Sequence, residues 1–93
     1  MATSSIDKHK AGIEAALREA VEKAGGQSAL ADLISTPGLP VRQSNVSMWL
    51  TRQAVSAEYC PAIERATGVR CERLNPFADW AYLRAAGKQR RAA

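Results

Sequence analysis

The chain has 93 residues, a net charge of +4 at neutral pH and a sequence pI of about 9.5. This length supports one small domain with a modest core, and a composition of 46% hydrophobic and 24% charged residues argues against disorder over most of it. No stretch reaches transmembrane length, and residues 1–5 lack the apolar core of a secretion signal. We therefore expect a cytoplasmic protein without a membrane partner.

Catalytic and metal-binding residues are scarce. Cys60 and Cys71 do not form a C-x-x-C pair, and the single histidine, His9, is distant from both in sequence. A metal site needs more ligands, so we expect buried reduced thiols, no metal and no cofactor. No Ser-His-Asp set, Cys-His set or phosphate loop is present, and Glu14 and Glu64 are expected on solvated helix faces. The sequence predicts a protein that is not an enzyme.

The first two helices are predicted from apolar periodicity. Residues 1–6 are expected to be a flexible start, and a helix is predicted over residues 7–24, ending at the glycine pair 25–26, which supplies positive φ. A shorter helix is predicted over residues 27–34, with Ser28 as a candidate N-cap. Its apolar face would consist of Leu30, Leu33 and Ile34, and Ala31 is small enough to lie beneath a crossing helix.

The third helix carries the most informative pattern. A loop rich in proline and glycine at residues 35–40 precedes a helix predicted from Val41 or Arg42 to Thr51. Val46, Trp49 and Leu50 share one apolar face, which places Trp49 in the core. The opposite face has no carboxylate and carries Ser44, Ser47 and Thr51, with Gln43 and Met48 beside them. A helix that lies in the major groove of DNA needs such a face.

The remainder of the chain predicts a fourth helix from Ser56, its N-cap, to Thr67. One possible inner stripe consists of Tyr59, Ile63 and Ala66, with Cys60 and Ala62 beside it. Residues 71–74 would add one further turn. A last helix begins near Asp79, with Trp80 and Tyr82 packing it onto the body. The tail, residues 87–93, is basic and is expected to be disordered.

Charge is distributed unevenly along the sequence. No carboxylate occurs between Asp32 and Glu58, and this stretch includes Arg42 and Arg52. The tail after Asp79 also lacks acids and contains Arg84, Lys88, Arg90 and Arg91. A polyanion would meet no repulsive side chain in either region, although a basic tail that only aids solubility is an equal alternative for the tail.

Four sequence blocks carry a family resemblance. The segments Q-S-A-L-A at residues 27–31 and V-R-Q-S-N-V-S-M-W-L at residues 41–50 resemble the helix-turn-helix of Cro and repressor-like phage regulators. With E-Y-C-P-A-I-E-R-A-T-G at 58–68 and D-W-A-Y-L-R at 79–84, the chain is similar to the Cro-like YdaS antitoxin family of prophage-encoded DNA-binding proteins. This resemblance covers about residues 20–84. It implies an all-α, five-helix, lambda-repressor-like domain over residues 7–86.

Two features depart from the family pattern. The usual turn between the helices of the motif has about three or four residues, and residues 35–40 make it longer here. Arg42 stands where the family often has Ser or Thr as an N-cap. The third helix is therefore expected either to begin later, at Ser44, or to lack a side-chain cap.

The resemblance also implies specific contacts with DNA. The start of the second helix would face a phosphate, Gln43 would pair with adenine and Arg42 with guanine, each worth ~1–3 kcal/mol of discrimination. Met48 would touch a thymine methyl group, and Arg52 would contact the backbone. The full set of implied DNA-binding residues is Gln27, Ser28, Arg42, Gln43, Ser44, Asn45, Ser47, Met48, Thr51 and Arg52.

These observations predict a sequence-specific transcriptional regulator, a Cro-like repressor of palindromic operator DNA. One small helix-turn-helix covers few base pairs, so a homodimer is expected, with Phe77, Tyr82 and Leu83 as its suggested contact surface. The alternative is an antitoxin that neutralises a toxin encoded nearby and regulates its own operon. The short basic tail, which offers no long toxin-wrapping segment, counts against that alternative.

Overall fold

The computed structural model describes the backbone of residues 5–84 and the side chains of residues 9–84. Predictions for the first four residues and for the basic tail lie outside this described range. Within it, α1 spans Ser5–Ala24, α2 Gln27–Ile34, α3 Gln43–Arg52, α4 Cys60–Thr67 and α5 Cys71–Leu74, and residues 80–84 form the described part of α6. A short 3-10 helix, Ala57–Tyr59, leads into α4. The prediction of an all-α fold is confirmed.

The glycine pair between α1 and α2 sets the position of both helices. Gly25 and Gly26 have φ values of 100° and 131°, and both amides donate to the carbonyl of Val21, at 3.0 and 2.9 Å. This confirms the predicted stop of α1, although α1 begins at Ser5 rather than Asp7. Gly26 is also the N-cap of α2, so the prediction of Ser28 as N-cap is wrong. One glycine pair ends the first helix and begins the second without an intervening loop.

The core is built from the inward faces of all six helices and of the segments between them. Its largest fully buried side chains are Leu17, Leu30, Val46, Ile63, Val69 and Leu74. Cys60 and Cys71 are buried and unbonded, as predicted, and burial raises the pKa of each thiol to about 12.

Each of two short helices has one residue that was wrongly predicted to face the core. On α2 the positions Leu30, Ala31 and Ile34 are buried as predicted, but Leu33 is 59% exposed. On α4 Cys60 and Ile63 are buried and Ala62 packs against the core, whereas Ala66 is exposed. Periodicity in an eight-residue helix does not fix where the edge of the apolar face lies.

The long connection between α2 and α3 is folded rather than extended. Thr36 and Leu39 exchange two backbone hydrogen bonds, of 3.2 and 3.1 Å, around Pro37 and Gly38. The hydroxyl of Ser35 accepts a hydrogen bond of 2.9 Å from the amide of Val41, whose side chain is buried. The buried side chain of Val41 and its bond to Ser35 therefore fix the position from which α3 begins.

The C-terminal segment is fastened through Asn75. Its side-chain amide donates to the carbonyl of Val55 at 3.0 Å, its Oδ1 accepts from the amide of Phe77 at 3.1 Å, and its carbonyl accepts from Trp80 Nε1 at 2.7 Å. Trp80 is buried, as predicted. Tyr82 was predicted to pack as well, but it is 68% exposed because it lies two residues further along α6 and points to the other side.

Within residues 5–84, none of the helices combines the length and apolar character needed to cross a bilayer.

Candidate nucleic-acid interface

Helix α3 is amphipathic in the manner that its sequence predicts. Val46 is fully buried and Trp49 is 7% exposed, with its ring 4.9 Å from that of Tyr59. Leu50 packs partly buried against the same core. The opposite face is open to solvent and includes Ser44, with Met48 38% exposed. The core thus fixes the rotation of α3 about its axis and presents its polar face outward.

The first turn of α3 is closed by Asn45. The amide of Arg42, the N-cap residue, donates to Asn45 Oδ1 at 2.8 Å, and the amide of Asn45 donates to the carbonyl of Arg42 at 2.9 Å. An arginine side chain has no acceptor, so the cap comes from the third helical position, as in one half of a capping box. The helix starts at Gln43, not at Ser44, and Asn45 Oδ1 is occupied by this bond.

The first residues of α2 and α3 are joined by a side-chain hydrogen bond. Gln43 Nε2 donates to Gln27 Oε1 at 2.6 Å, across 16 residues of sequence. This bond uses one amide hydrogen of Gln43 and leaves its second hydrogen and its Oε1. Adenine presents one acceptor and one donor in the major groove, which match these two remaining groups. The bond therefore leaves Gln43 with one donor and one acceptor, the pair that bidentate reading of adenine requires.

Both helix starts are electrostatically suited to an anion. Neither α2 nor α3 has an acid in its first turn, and no side chain caps the N-terminus of α2. The first amides of a helix have no intrahelical acceptor, so those of Gln27, Ser28 and Ala29 are available. Free amides and the positive end of the helix dipole favour a phosphate at this point.

The far end of α3 is fixed to α1. Gln53, the C-cap, has a left-handed backbone with φ of 56°, and its Nε2 donates to Glu14 Oε1 at 2.6 Å. Glu14 also pairs with Arg18 at 2.7 Å, and the hydrogen bonds from Gln53 and Arg18 lower the pKa of Glu14. Glu14 is therefore not the free surface acid that the sequence predicted. No local pattern identifies Gln53, because its partner lies 39 residues away.

The arginines on this surface differ from most of the other described arginines in having no acidic partner. Arg42 and Arg52, at the two ends of α3, are exposed, and neither forms an ion pair with a carboxylate among the side chains of residues 9–84. Ion pairs with glutamates do occupy Arg18, Arg70, Arg73 and Arg84. The unpaired positive charge of the described arginines is therefore concentrated at α3, with Arg65 as the other example.

Arg84 corrects the prediction of an uncompensated basic tail. Its guanidinium lies 2.6 Å from a carboxylate oxygen of Glu72 and 3.2 Å from one of Glu64. Glu64 in turn accepts the backbone amide of Cys71 at 2.8 Å, which lowers the pKa of Glu64, so it is not a free surface acid either. Arg84 ties α6 to α4 and α5. Its charge serves the fold, while Lys88, Arg90 and Arg91 lie outside the described residues.

Glu58 corrects the prediction of acid-free surroundings. It lines a depression of about 360 Å³ at the end of α3 together with Asn45, Met48 and Arg52. The stretch between Asp32 and Glu58 lacks acids in sequence, but folding brings Glu58 to the edge of the exposed face of α3. The acid-free surface is therefore centred on the first half of α3 and on the start of α2.

All ten residues predicted to contact DNA lie at the start of α2 or on and beside α3, and none is buried. Gln27, Asn45 and Ser47 are half-buried, and the others are exposed. The Thr51 hydroxyl donates to the carbonyl of Ser47 at 3.0 Å, which leaves its oxygen to accept but not to donate. The structure thus gathers the predicted set on one surface, with Asn45 and Thr51 partly engaged in local bonds.

Comparison with known proteins assigns the chain to a family. A family model described as "Bacterial toxin YdaS" matches residues 17–83. The chain is 46% identical over 71 residues to a protein of Escherichia coli (strain K12) named "Putative transcriptional regulator YdaS". That alignment covers 72% of this chain and 66% of the length of the relative. No solved structure matches the chain significantly. The two matches agree, and the chain belongs to the YdaS family.

Proposed function

We propose that this protein is a sequence-specific, DNA-binding transcriptional regulator that inserts α3 into the major groove. The observation that carries this proposal is the bond from Gln43 to Gln27, which aligns a base-reading amide beside two helix starts without acids. The name of the Escherichia coli relative, a transcriptional regulator, supports the same role. The protein acts by binding, without a cofactor and without catalysis.

Each part of the surface has a distinct role in the proposed complex. The start of α2 and Gln27 hold a phosphate, which fixes the register of the protein on the duplex. Gln43 reads adenine and Arg42 reads guanine or an adjacent phosphate, with Met48 against a thymine methyl group. Arg52 binds the backbone at the other end of α3. Specificity thus arises from the first half of α3 and general affinity from its ends.

Two copies are needed for a useful operator. One recognition helix covers few base pairs, so we propose a homodimer on a palindromic site with half-sites roughly 34–36 Å apart, one turn of DNA. This is the arrangement of a Cro-like, prophage-encoded repressor. Footprinting on the DNA upstream of the protein's own gene tests it. A protected palindrome with that half-site spacing supports the proposal, and absence of any protected site at saturating protein contradicts it.

A protein-interaction role is the second candidate, because the family model carries the description of a toxin. That description does not support the predicted antitoxin role, which stays a prediction. The two roles separate in a growth assay with induced wild-type protein, Gln43→Ala and Arg52→Ala. Growth inhibition that both substitutions abolish acts through DNA. Inhibition that neither substitution changes, or relief of inhibition by an adjacent gene product, favours a protein partner.

A further inference from the structure

A shallow groove runs between α1 and the segment that follows α5, away from α3. It encloses about 280 Å³ and is lined by His9, Gly12, Ala15, Glu72, Arg73 and Pro76. A Cβ atom added to Gly12 would meet no other atom within 4 Å, so no side chain of the described protein fills the groove at this point. Glycine inside a helix is destabilising. Because Gly12 has no side chain, the groove is deeper at this point, and this depth serves no contact within the described domain.

A large aromatic side chain stands at the rim of the same groove. Phe77 follows Pro76 directly, is 64% exposed, and touches the protein through an edge contact with His9, with ring centroids 5.1 Å apart. A cavity of about 150 Å³ is enough to hold benzene, so a groove of 280 Å³ accommodates a phenyl ring. The surface therefore carries a projecting ring and a matching recess side by side.

The groove also carries charges of both signs. Glu72 and Arg73 lie next to each other along its wall, and Arg73 pairs with Glu19 at 2.9 Å. Glu72 is likewise paired with Arg84 at 2.6 Å, so these charges are compensated within the chain and leave no net charge that would attract a polyanion or exclude an apolar ring.

We propose that this groove binds a second copy of the chain, with Phe77 of each protomer inserted over Gly12 of its partner. The side chains outside the described range include no aromatic ring, because residues 85–93 contain no large apolar side chain and residues 1–8 contain only Met1 and Ile6. No residue of the DNA-binding set lines the groove, so both α3 helices stay free in the dimer. The proposed dimer interface is smaller than the contact surface suggested from the sequence, because Leu83 lines a separate cleft with Pro61 and Trp80.

This inference rests on the homodimer of the proposed function and names its interface, and its test involves no DNA. Sedimentation of the full chain from about 1 μM to about 1 mM brackets the affinity of a small interface. We expect a concentration-dependent monomer–dimer equilibrium. Phe77→Ala should weaken association by at least about tenfold, and so should Gly12→Met, which fills the groove. Tyr82 has an aromatic ring that is about as exposed as that of Phe77 but lines neither the groove nor the separate cleft, so Tyr82→Ala should leave association unchanged.

Thermal unfolding of each variant distinguishes loss of association from loss of folding. Phe77 and Gly12 are exposed, so folded monomers of both variants are expected. A wild-type protein that stays monomeric throughout this range would overturn the proposal. So would Phe77→Ala protein that dimerises like the wild type, or equal weakening by Phe77→Ala and Tyr82→Ala. Failure of the DNA-binding proposal, by contrast, would appear only in the footprinting experiment.

Discussion

Replacing Asn75 by alanine should destabilise the protein more than any other single polar substitution that keeps the core intact. The side chain makes two hydrogen bonds, to the carbonyl of Val55 and from the amide of Phe77. Each is worth about 1 kcal/mol, and the partly buried carbonyl of Val55 loses its partner, so we expect a loss of about 2–3 kcal/mol. In a domain of this size that lowers Tm by roughly 10–20 °C.

Urea and thermal unfolding monitored by circular dichroism measure this loss. Asn75→Asp tests the donor specifically, because its second carboxylate oxygen cannot donate and faces the Val55 carbonyl as acceptor against acceptor, so its loss should be at least as large as that of Asn75→Ala. Tyr82→Ala should change the free energy of unfolding by less than about 0.5 kcal/mol, as an exposed side chain does. If Asn75→Ala stays within that same margin of the wild type, the fastening of the C-terminal segment through Asn75 is wrong.

Three further predictions concern stability and reactivity. The pKa of Glu72 is lowered to about 2, chiefly by its hydrogen bond with Arg84. The ionised carboxylate therefore stabilises the fold above the ordinary carboxyl pKa, and this stabilisation is lost as pH falls towards 2. In an acid titration, Glu72→Gln should show a shallower loss of stability than the wild type. Burial raises the pKa of both Cys60 and Cys71 to about 12, so alkylation by iodoacetamide at neutral pH should be slow in the native protein and fast in denaturant, and rapid native labelling would contradict this. Gly12→Ala should raise the free energy of unfolding by about 0.5–1 kcal/mol in urea titrations, because the added methyl group meets open space and alanine favours the helix. An unchanged or lower stability would show that Gly12 has a conformational role within the monomer.

Helix positions were largely predictable from local sequence. The glycine pair fixed the end of α1, the proline-rich loop fixed the gap before α3, and the spacing of Val46 and Trp49 identified the buried face of α3. These features depend on residues within one or two turns of each other, and backbone sterics and periodicity are local. The predictions for Leu33 and Tyr82 were wrong, because in short helices the pattern leaves the edges of the buried face open.

The candidate site was predictable as a set of residues but not as an arrangement. The sequence placed Gln27 and Gln43 on one surface, yet nothing in it revealed the bond between them. The bonds of Gln53 to Glu14 and of Arg84 to Glu72 likewise join residues that are distant in sequence. Such pairs depend on how the helices cross. The order of charges along the sequence therefore predicted Arg84 to be unpaired, although Arg84 pairs with Glu72, and it did not reveal that Glu58 lies close to α3.

The central claim, that Gln43 reads a base, is tested most directly by the affinity of Gln43→Ala for the footprinted operator and for a scrambled duplex of equal length, at several salt concentrations. We predict a loss of ~1–3 kcal/mol on the operator, roughly fivefold to 150-fold, with little change on the scrambled duplex. Arg52→Ala is the comparison, and it should weaken both duplexes and reduce the salt slope by about 1. An equal loss on both duplexes for Gln43→Ala would contradict base reading by Gln43.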